Sequence, residues 1–274
     1  MLVIHGIAEL CLHLRDVTGI SLVPTMGNLH QGHLDLVRIA RQQSQFVVVS
    51  IFVNPLQFGM NEDYSKYPRT LEQDCKMLEQ CGVDVVFAPS ETDLYPQPQQ
   101  VTVKLPPISN ELCGAFRPDL FRGAAIVVLK LFNIVRPRIA VFGKKDYQQL
   151  YLIRQMATQL NMPVKIVGGE TVRASDGLAL SSRNQYLSVA ERTEAVLLYQ
   201  SIIGIRLAIM DGATDFLKLE RQAMQLLTAR GWQVDYVAIR AQINLAEPIV
   251  CERNLVILAA AWLGQTRLID NLEI

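Results

Sequence analysis

Short apolar runs alternate with amphipathic stretches along the first 170 residues of the chain. Continuous runs rich in β-branched residues predict strands covered on both faces, at Gly19–Pro24, Phe46–Val53, Val83–Phe87, Ile139–Phe142 and Val164–Val167. Between them, apolar positions three and four residues apart predict helices that begin at Gly32 and Thr70 and that span Phe121–Val135 and Asp146–Leu160. Because strands that alternate with helices are joined by right-handed crossovers, the pattern predicts a parallel sheet.

The pattern changes after Gly168 and Gly169. Two longer helices are predicted at Ala190–Met210 and Thr214–Arg230, followed by strand-like runs at Gln233–Ile239, Leu255–Ala260 and Arg267–Ile269. The sequence therefore predicts an α/β protein, with a parallel-sheet domain over residues 1–171 and a smaller C-terminal α/β domain over residues 172–274. In the first domain, the segment Pro89–Pro107 predicts an irregular loop with a short strand at Val101–Leu105.

Composition narrows the classes of protein that fit this pattern. The chain carries 26 Lys plus Arg against 26 Asp plus Glu, so we expect no extended nucleic-acid surface. We expect no signal peptide, because no basic stretch precedes an apolar one at the N-terminus, and no membrane span, because no apolar run approaches roughly 20 residues. The five cysteines are odd in number and irregularly spaced, which predicts reduced, mostly core thiols and a cytoplasmic location.

The histidines indicate where the chemistry takes place. All 4 lie within the first 33 residues, which excludes an H-E-x-x-H zinc site and a late histidine for a nucleophilic triad. His30 and His33 follow the first predicted strand in PTMGNLHQGH, at the start of a predicted helix. A helix N-terminus attracts phosphate, and Gly32 leaves the backbone bare between the two imidazoles. The sequence has neither a G-x-x-x-x-G-K-[ST] loop nor a G-x-G-x-x-G motif, so a P-loop kinase and a dinucleotide dehydrogenase fit poorly.

This motif resembles the H-x-G-H signature of the nucleotidyltransferase superfamily, whose members bind ATP across a Rossmann-like parallel sheet and direct attack at its α-phosphate. Further motifs are similar in order and spacing to the pantothenate synthetase (pantoate–β-alanine ligase) family, with the resemblance running from Pro24 to the end of the chain. They read FVNPLQFGMNEDYSKYPRT, ELCGAFRP, KLFNIVRP, FGKKDYQQLYLIRQM, DGLALSSRNQYLS and AAWLGQTRLIDNLEI. The resemblance implies a homodimeric ligase that joins pantoate to β-alanine through a pantoyl-adenylate, with AMP and pyrophosphate released, and a C-terminal domain that acts as a lid.

The resemblance also implies which residues bind ATP. They fall in three segments and one isolated position, with His33 as the catalytic acid and His30 and Lys145 as further catalytic residues: Met26, Gly27, Asn28, Leu29, His30, Gln31, Gly32 and His33; Gly143, Lys144, Lys145 and Asp146; Val172; and Leu180, Ser181, Ser182 and Arg183. Mg²⁺ is implied as the companion of ATP, although the sequence does not identify its ligands.

Gln57 and Gln149 match the family's glutamines that hold pantoate. An amide both donates and accepts hydrogen bonds, which suits a ligand with hydroxyls and a carboxylate. The residue that deprotonates β-alanine stays open between His33 and the departing phosphate. Two other functions also stay open: transfer of a nucleotide to a phosphorylated acceptor, which leaves the glutamines unexplained, and a regulatory nucleotide-binding module, which needs only the first motif.

Three positions depart from the family pattern. Leu120 stands where the family commonly has His, and Arg138 where it often has Asp. Lys144 replaces a common Glu, so it either adds positive charge near the phosphates or faces solvent.

Overall fold

The structure is a computed structural model that describes residues 1–59, 62–249 and 252–274. Its larger sheet contains 6 parallel strands in the order β1-β4-β3-β2-β5-β6, which confirms the predicted parallel sheet. The strands are β1 (Leu2–Ile4), β2 (Ile20–Thr25), β3 (Phe46–Ile51), β4 (Val85–Phe87), β5 (Ile139–Gly143) and β6 (Lys165–Gly169). The pattern of apolar residues did not predict β1.

Helices cover both faces of this sheet. They are α1 (Ile7–His13), α2 (Gln31–Gln43), α3 (Leu71–Gln80), α4 (Glu91–Leu94), α5 (Cys113–Phe116), α6 (Leu120–Val135) and α7 (Tyr147–Gln159). One core joins the sheet to α1, α6 and α7, and a second core joins the other face to α2 and α3. Because both faces are buried, the strands are apolar at successive positions rather than at alternate ones.

The C-terminal part has its own sheet and core. Three helices, α8 (Val189–Glu194), α9 (Val196–Met210) and α10 (Phe216–Ala229), precede the antiparallel strands β7 (Gln233–Ala241), β8 (Leu255–Leu263) and β9 (Thr266–Glu273). The helix predicted at 190–210 is therefore two helices that meet at Ala195. The boundary at residue 171 stays a prediction.

One prediction about an apolar segment needs correction. Residues 101–105 form no strand, and Val101 is 80% exposed. A second segment, Val189–Met210, is long and apolar enough to cross a membrane by length and composition alone. Its side chains Leu198 and Ile202 nevertheless pack in the core beneath the antiparallel sheet.

The described cysteines differ in their burial. The four described ones are free, but only Cys113 is buried; Cys75 and Cys81 are partly buried and Cys11 is exposed. Cys251 lies outside the described residues. Cys113 belongs to an apolar core, and Cys75 and Cys81 pack against another, so three of the four described cysteines are core residues as expected.

Candidate functional site

A cavity of about 210 Å³ lies where the strand order reverses between β2 and β5. Parallel sheets bind ligands at such switch points, beyond the carboxyl ends of the strands. Residues from both strand ends line this cavity, together with residues of α6, α7 and the segment 170–183. Among them are Met26, His30, Gly32, His33, Gln57, Gly143, Lys145, Asp146, Gln149, Val172, Leu180, Ser181, Ser182 and Arg183.

The two histidines cap helix α2. The backbone N–H of Gly32 donates to His30 Nδ1 at 3.1 Å, and the backbone N–H of His30 donates to His33 Nδ1 at 3.3 Å. Because each Nδ1 accepts a hydrogen bond, the ring proton of each neutral imidazole resides on Nε2. A β-carbon at position 32 would lie 2.9 Å from His30 Cε1, so Gly32 is needed for this arrangement.

Both imidazoles are neutral in the free chain at pH 7. Burial and the nearby Lys145 lower the pKa of His30 to about 4. Burial, His30 and Lys145 lower the pKa of His33 to about 3. Two neutral rings whose centroids lie 4.1 Å apart can each donate an Nε2–H to an anion. Before ATP binds, His33 is therefore a hydrogen-bond donor rather than a charged acid.

Asp74 holds the turn that precedes these histidines. Its carboxylate is buried and accepts the backbone N–H groups of Asn28 at 2.9 Å and Leu29 at 2.8 Å. Gly27 and Asn28 have φ angles of 80° and 49°, so the turn passes through left-handed conformations that the carboxylate stabilises. The role of Asp74 was not predicted from the sequence. The feature that could have indicated it is a carboxylate within the apolar stripe of α3, whose other members include Leu71 and Leu78.

Gln57 is oriented by a neighbour that the sequence analysis also missed. Asn54 Nδ2 donates to Gln57 Oε1 at 2.9 Å and to the Gly123 carbonyl at 3.1 Å. With its oxygen engaged in this way, Gln57 presents its Nε2 donor to a ligand. A β-carbon at Gly123 would lie 2.0 Å from the Leu56 carbonyl, so glycine lets α6 approach the turn that carries Gln57. Gln149 lines the same cavity from α7.

The two adjacent lysines have different surroundings. Lys145 lines the cavity, whereas the Lys144 ammonium lies 2.6 Å from Glu170 and 2.6 Å from Glu273. These ion pairs exclude the alternative in which Lys144 faces solvent freely. The alternative that it adds positive charge near the phosphates stays a prediction, since Lys144 does not line the cavity but its partner Glu170 does. Asn271 of β9 donates its Nδ2 to the carbonyls of Lys144 and Lys145, both at 2.9 Å. The C-terminal sheet therefore fixes the backbone that positions Lys145.

The segment that contains Arg183 closes the other side of the cavity. Arg183 donates two hydrogen bonds to Asp63, at 3.0 Å and 2.8 Å. Ser182 Oγ donates to the Asn28 carbonyl at 2.9 Å, which joins this segment to the turn before the histidines. The backbone N–H of Leu180 bonds to the Val172 carbonyl at 2.9 Å.

The structure brings most of the predicted site residues together, with a few exceptions. Gly27, Asn28 and Leu29 form the turn rather than the cavity wall, and Gln31 bonds to Asp35 on an exposed surface. Of the departures from the family pattern, Leu120 lines an adjoining cavity, and the exposed Arg138 bonds through its backbone to the sheet.

Comparison with known proteins gives one consistent result. A model of the pantoate–β-alanine ligase family matches residues 3–273. The pantothenate synthetases of Nitrosospira multiformis and Neisseria meningitidis are 56% and 55% identical to the chain, covering 99% and 100% of it and 98% and 99% of their own lengths.

Solved structures agree with this match. The pantothenate synthetase of Thermus thermophilus superposes with a TM-score of 0.95 at 43% identity, covering 100% of this chain and 99% of its own. The Francisella tularensis ligase, solved in complex with beta-gamma ATP and β-alanine, superposes with a TM-score of 0.85 at 33% identity, covering 100% and 97%. The chain therefore belongs to the pantoate–β-alanine ligase family.

Proposed function

We propose that this chain condenses pantoate with β-alanine in an ATP-dependent reaction that passes through a pantoyl-adenylate. The observation that carries the proposal is the composition of the cavity. Two neutral imidazoles and Lys145 lie at one side of it, while Gln57 and Gln149 offer amides to a polar organic acid. Nucleotidyl transfer to a phosphorylated acceptor is not favoured, since it gives the two glutamines no role.

In the first step, a pantoate carboxylate oxygen attacks the α-phosphorus of ATP. The bond from this phosphorus to the bridging oxygen breaks, and pyrophosphate leaves with that oxygen. The carboxylate is ionised near pH 7, so no general base is required. The Nε2–H groups of His30 and His33 donate to the phosphoryl oxygens, and Lys145 stabilises the charge that develops on the leaving group.

Arg183 also contributes to this step. Its guanidinium is paired with Asp63 at the edge of the cavity, where bound β- and γ-phosphates would compete with Asp63 for the same N–H donors. Ser181 and Ser182 add hydroxyl donors beside it. We therefore assign to Arg183 the binding of the departing pyrophosphate, and to the C-terminal part the role of a lid that keeps water from the adenylate.

In the second step, the neutral amine of β-alanine attacks the acyl carbon, and the bond from this carbon to the phosphate oxygen breaks. AMP leaves with that oxygen, and the nitrogen loses one proton. In the free chain the pKa of His33 is about 3, which makes it a poor proton acceptor there. We therefore assign the proton to the departing phosphate.

Mg²⁺ enters this scheme with ATP as part of the substrate. Within the described residues, no three His, Cys, Asp or Glu side chains cluster as a metal site. A magnesium ion held mainly by phosphates and water needs only one or two carboxylates. Asp146 is the carboxylate of the cavity that follows Lys145 directly in sequence, and Glu170 is a second carboxylate in the same lining. A homodimer in the cytoplasm is the form that the family resemblance favours, and light scattering of the purified protein measures its mass.

An isotope experiment tests the reaction order. Pantoate labelled with heavy oxygen in its carboxylate should transfer one labelled oxygen to AMP and none to pyrophosphate. ATP and pantoate alone should support exchange of labelled pyrophosphate into ATP. Recovery of the label in inorganic phosphate, together with ADP, would show an acyl-phosphate route and refute the adenylate.

A further inference from the structure

A second cavity, of about 90 Å³, adjoins the first one. The two cavities share Gln57, Gln149, Lys145 and Asp146, and the far wall of the second is formed by the C-terminal sheet. By its volume it has room for on the order of six water molecules, which matches a small amino acid. A nucleophile in this space would approach an acyl group held between the two glutamines.

Three arginines line the second cavity, and two of them use both Nε and an Nη atom to bond to a carboxylate. Arg117 is bonded through Nε and Nη2 to Glu62, and Arg183 is bonded in the same way to Asp63. Their planar forks are thus occupied by oxygen acceptors within the described part of the chain. This leaves the third arginine as the candidate for a new anionic ligand.

That third residue is Arg267, on β9. Its Nε donates to Asp235 at 2.7 Å, and the side chains of Arg267 and Asp235 are 10% and 5% exposed. Both Nη atoms lie 3.7 Å from Cys113 Sγ, and this sulfur is their only partner in the described residues. A thiol accepts hydrogen bonds weakly, whereas a carboxylate fits two guanidinium nitrogens at once. The two Nη atoms of Arg267 therefore form a buried, fixed fork that has no oxygen acceptor among the described residues.

A hydroxyl donor lies beside this fork. Tyr236 Oη is 3.0 Å from the same Cys113 sulfur and also lines the cavity. Burial and the neighbouring thiol raise the pKa of Tyr236, so its hydroxyl keeps its proton near pH 7. The Asp235–Arg267 pair has no net charge, which suits a zwitterionic guest better than a doubly charged one.

We propose that Arg267 and Tyr236 form the subsite for the carboxylate of the amino-acid substrate, so that its amine points from the second cavity toward the acyl-adenylate. This inference rests on the proposed function. When the substrate carboxylate is fixed at this subsite, one carbon more or less in the substrate moves its amine away from the acyl carbon. The subsite therefore selects amino acids by their length. Arg267 is then a specificity residue for the second step and contributes nothing to the first.

The test compares β-alanine with its neutral amide, 3-aminopropanamide. The wild type should use β-alanine with a kcat/KM roughly 10- to 100-fold above that of the amide, the range for a charge-assisted hydrogen-bonding pair. Arg267→Met should lose that preference, while pantoate-dependent exchange of pyrophosphate into ATP stays within about twofold of the wild type. Tyr236→Phe should raise the KM for β-alanine without changing the exchange rate.

Arg240→Met is the matched control. Arg240 lies on the same sheet and opposite Glu220 at 3.9 Å, but it lines neither cavity, so this variant should keep the wild-type preference. If Arg267→Met does not fold, Arg267→Lys serves in its place, because it keeps the charge and loses the fork. A folded, exchange-active Arg267 variant that still prefers β-alanine over the amide overturns the inference. Failure of the wild type to exchange pyrophosphate would refute the proposed function instead.

Discussion

Replacement of Asp74 by Asn tests the support of the histidine turn. Each carboxylate oxygen of Asp74 accepts one backbone N–H, and Thr70 Oγ1 also donates to Oδ2 at 3.1 Å. Asparagine has nearly the same shape but only one acceptor oxygen. Its NH₂ group would therefore face the backbone N–H of Asn28 or Leu29, and two donors would meet in a buried place.

The expected cost follows from these contacts. A hydrogen bond to a charged group contributes about 1.5–3 kcal/mol, and a buried donor left without an acceptor costs about 1–3 kcal/mol more. We therefore expect Asp74→Asn to lower the free energy of unfolding by about 2.5–6 kcal/mol. A shift of the turn by about 1 Å should also slow pantoate-dependent pyrophosphate exchange by roughly 100-fold.

Urea denaturation and the exchange assay measure these two effects separately. Glu72→Gln is the control on the same helix, since the Glu72 side chain is 88% exposed and pairs with Lys76 one turn away. Its unfolding free energy should change by less than about 0.5 kcal/mol, and its exchange rate should not change. An Asp74→Asn protein with wild-type stability and exchange would show that the turn does not depend on this carboxylate.

Three further predictions concern the cavity. Gln57→Ala should raise the KM for pantoate roughly 10- to 100-fold and leave calorimetric ATP binding nearly unchanged; loss of ATP binding by the folded variant would contradict the assignment. Lys145→Ala should impair adenylation strongly, whereas Lys144→Ala should leave the KM for ATP unchanged, as steady-state kinetics will show. The folded pKa of His33, about 3, lies below its unfolded value of 6.5, so protonation of the unfolded chain destabilises the fold as pH falls below 6.5. Between pH 7 and 4.5 the wild type should lose about 2 kcal/mol more unfolding free energy than His33→Asn, measured with urea; equal losses would contradict the low pKa.

The sequence predicted secondary structure correctly where a long apolar run was compatible with only one kind of element. Phe46–Val53 and Phe121–Val135 were recognised because burial on both faces of a sheet, or on most faces of a helix, leaves few polar positions. The run Leu2–Ile4 was missed because three residues set no period. Apolar and polar residues alternate along Val101–Leu105 as they do in a half-buried strand, yet this segment does not pair with any described strand.

The candidate site was predictable in its types of residue but not in its internal contacts. The position of the H-x-G-H motif after a strand located both histidines correctly. The roles of Asn54 and Asp74 were not predictable. Asp74 binds the histidine turn, which is distant in sequence, and Asn54 bonds both to Gln57 in its own turn and to the distant Gly123. The ion pairs of Lys144 were not predictable for the same reason, since Glu273 comes from a strand 129 residues later.

The contact of Asn271 with the two lysine carbonyls sets a temporal order on how the site matures. A ribosome releases the strands that carry the histidines and Lys145 well before it releases β9, and Asn271 lies 126 residues after Lys145. During synthesis the nascent chain can therefore pair its parallel strands and still lack the amide that steadies the lysine backbone. A chain interrupted before β9 would therefore lack one of the contacts that hold the backbone at Lys145.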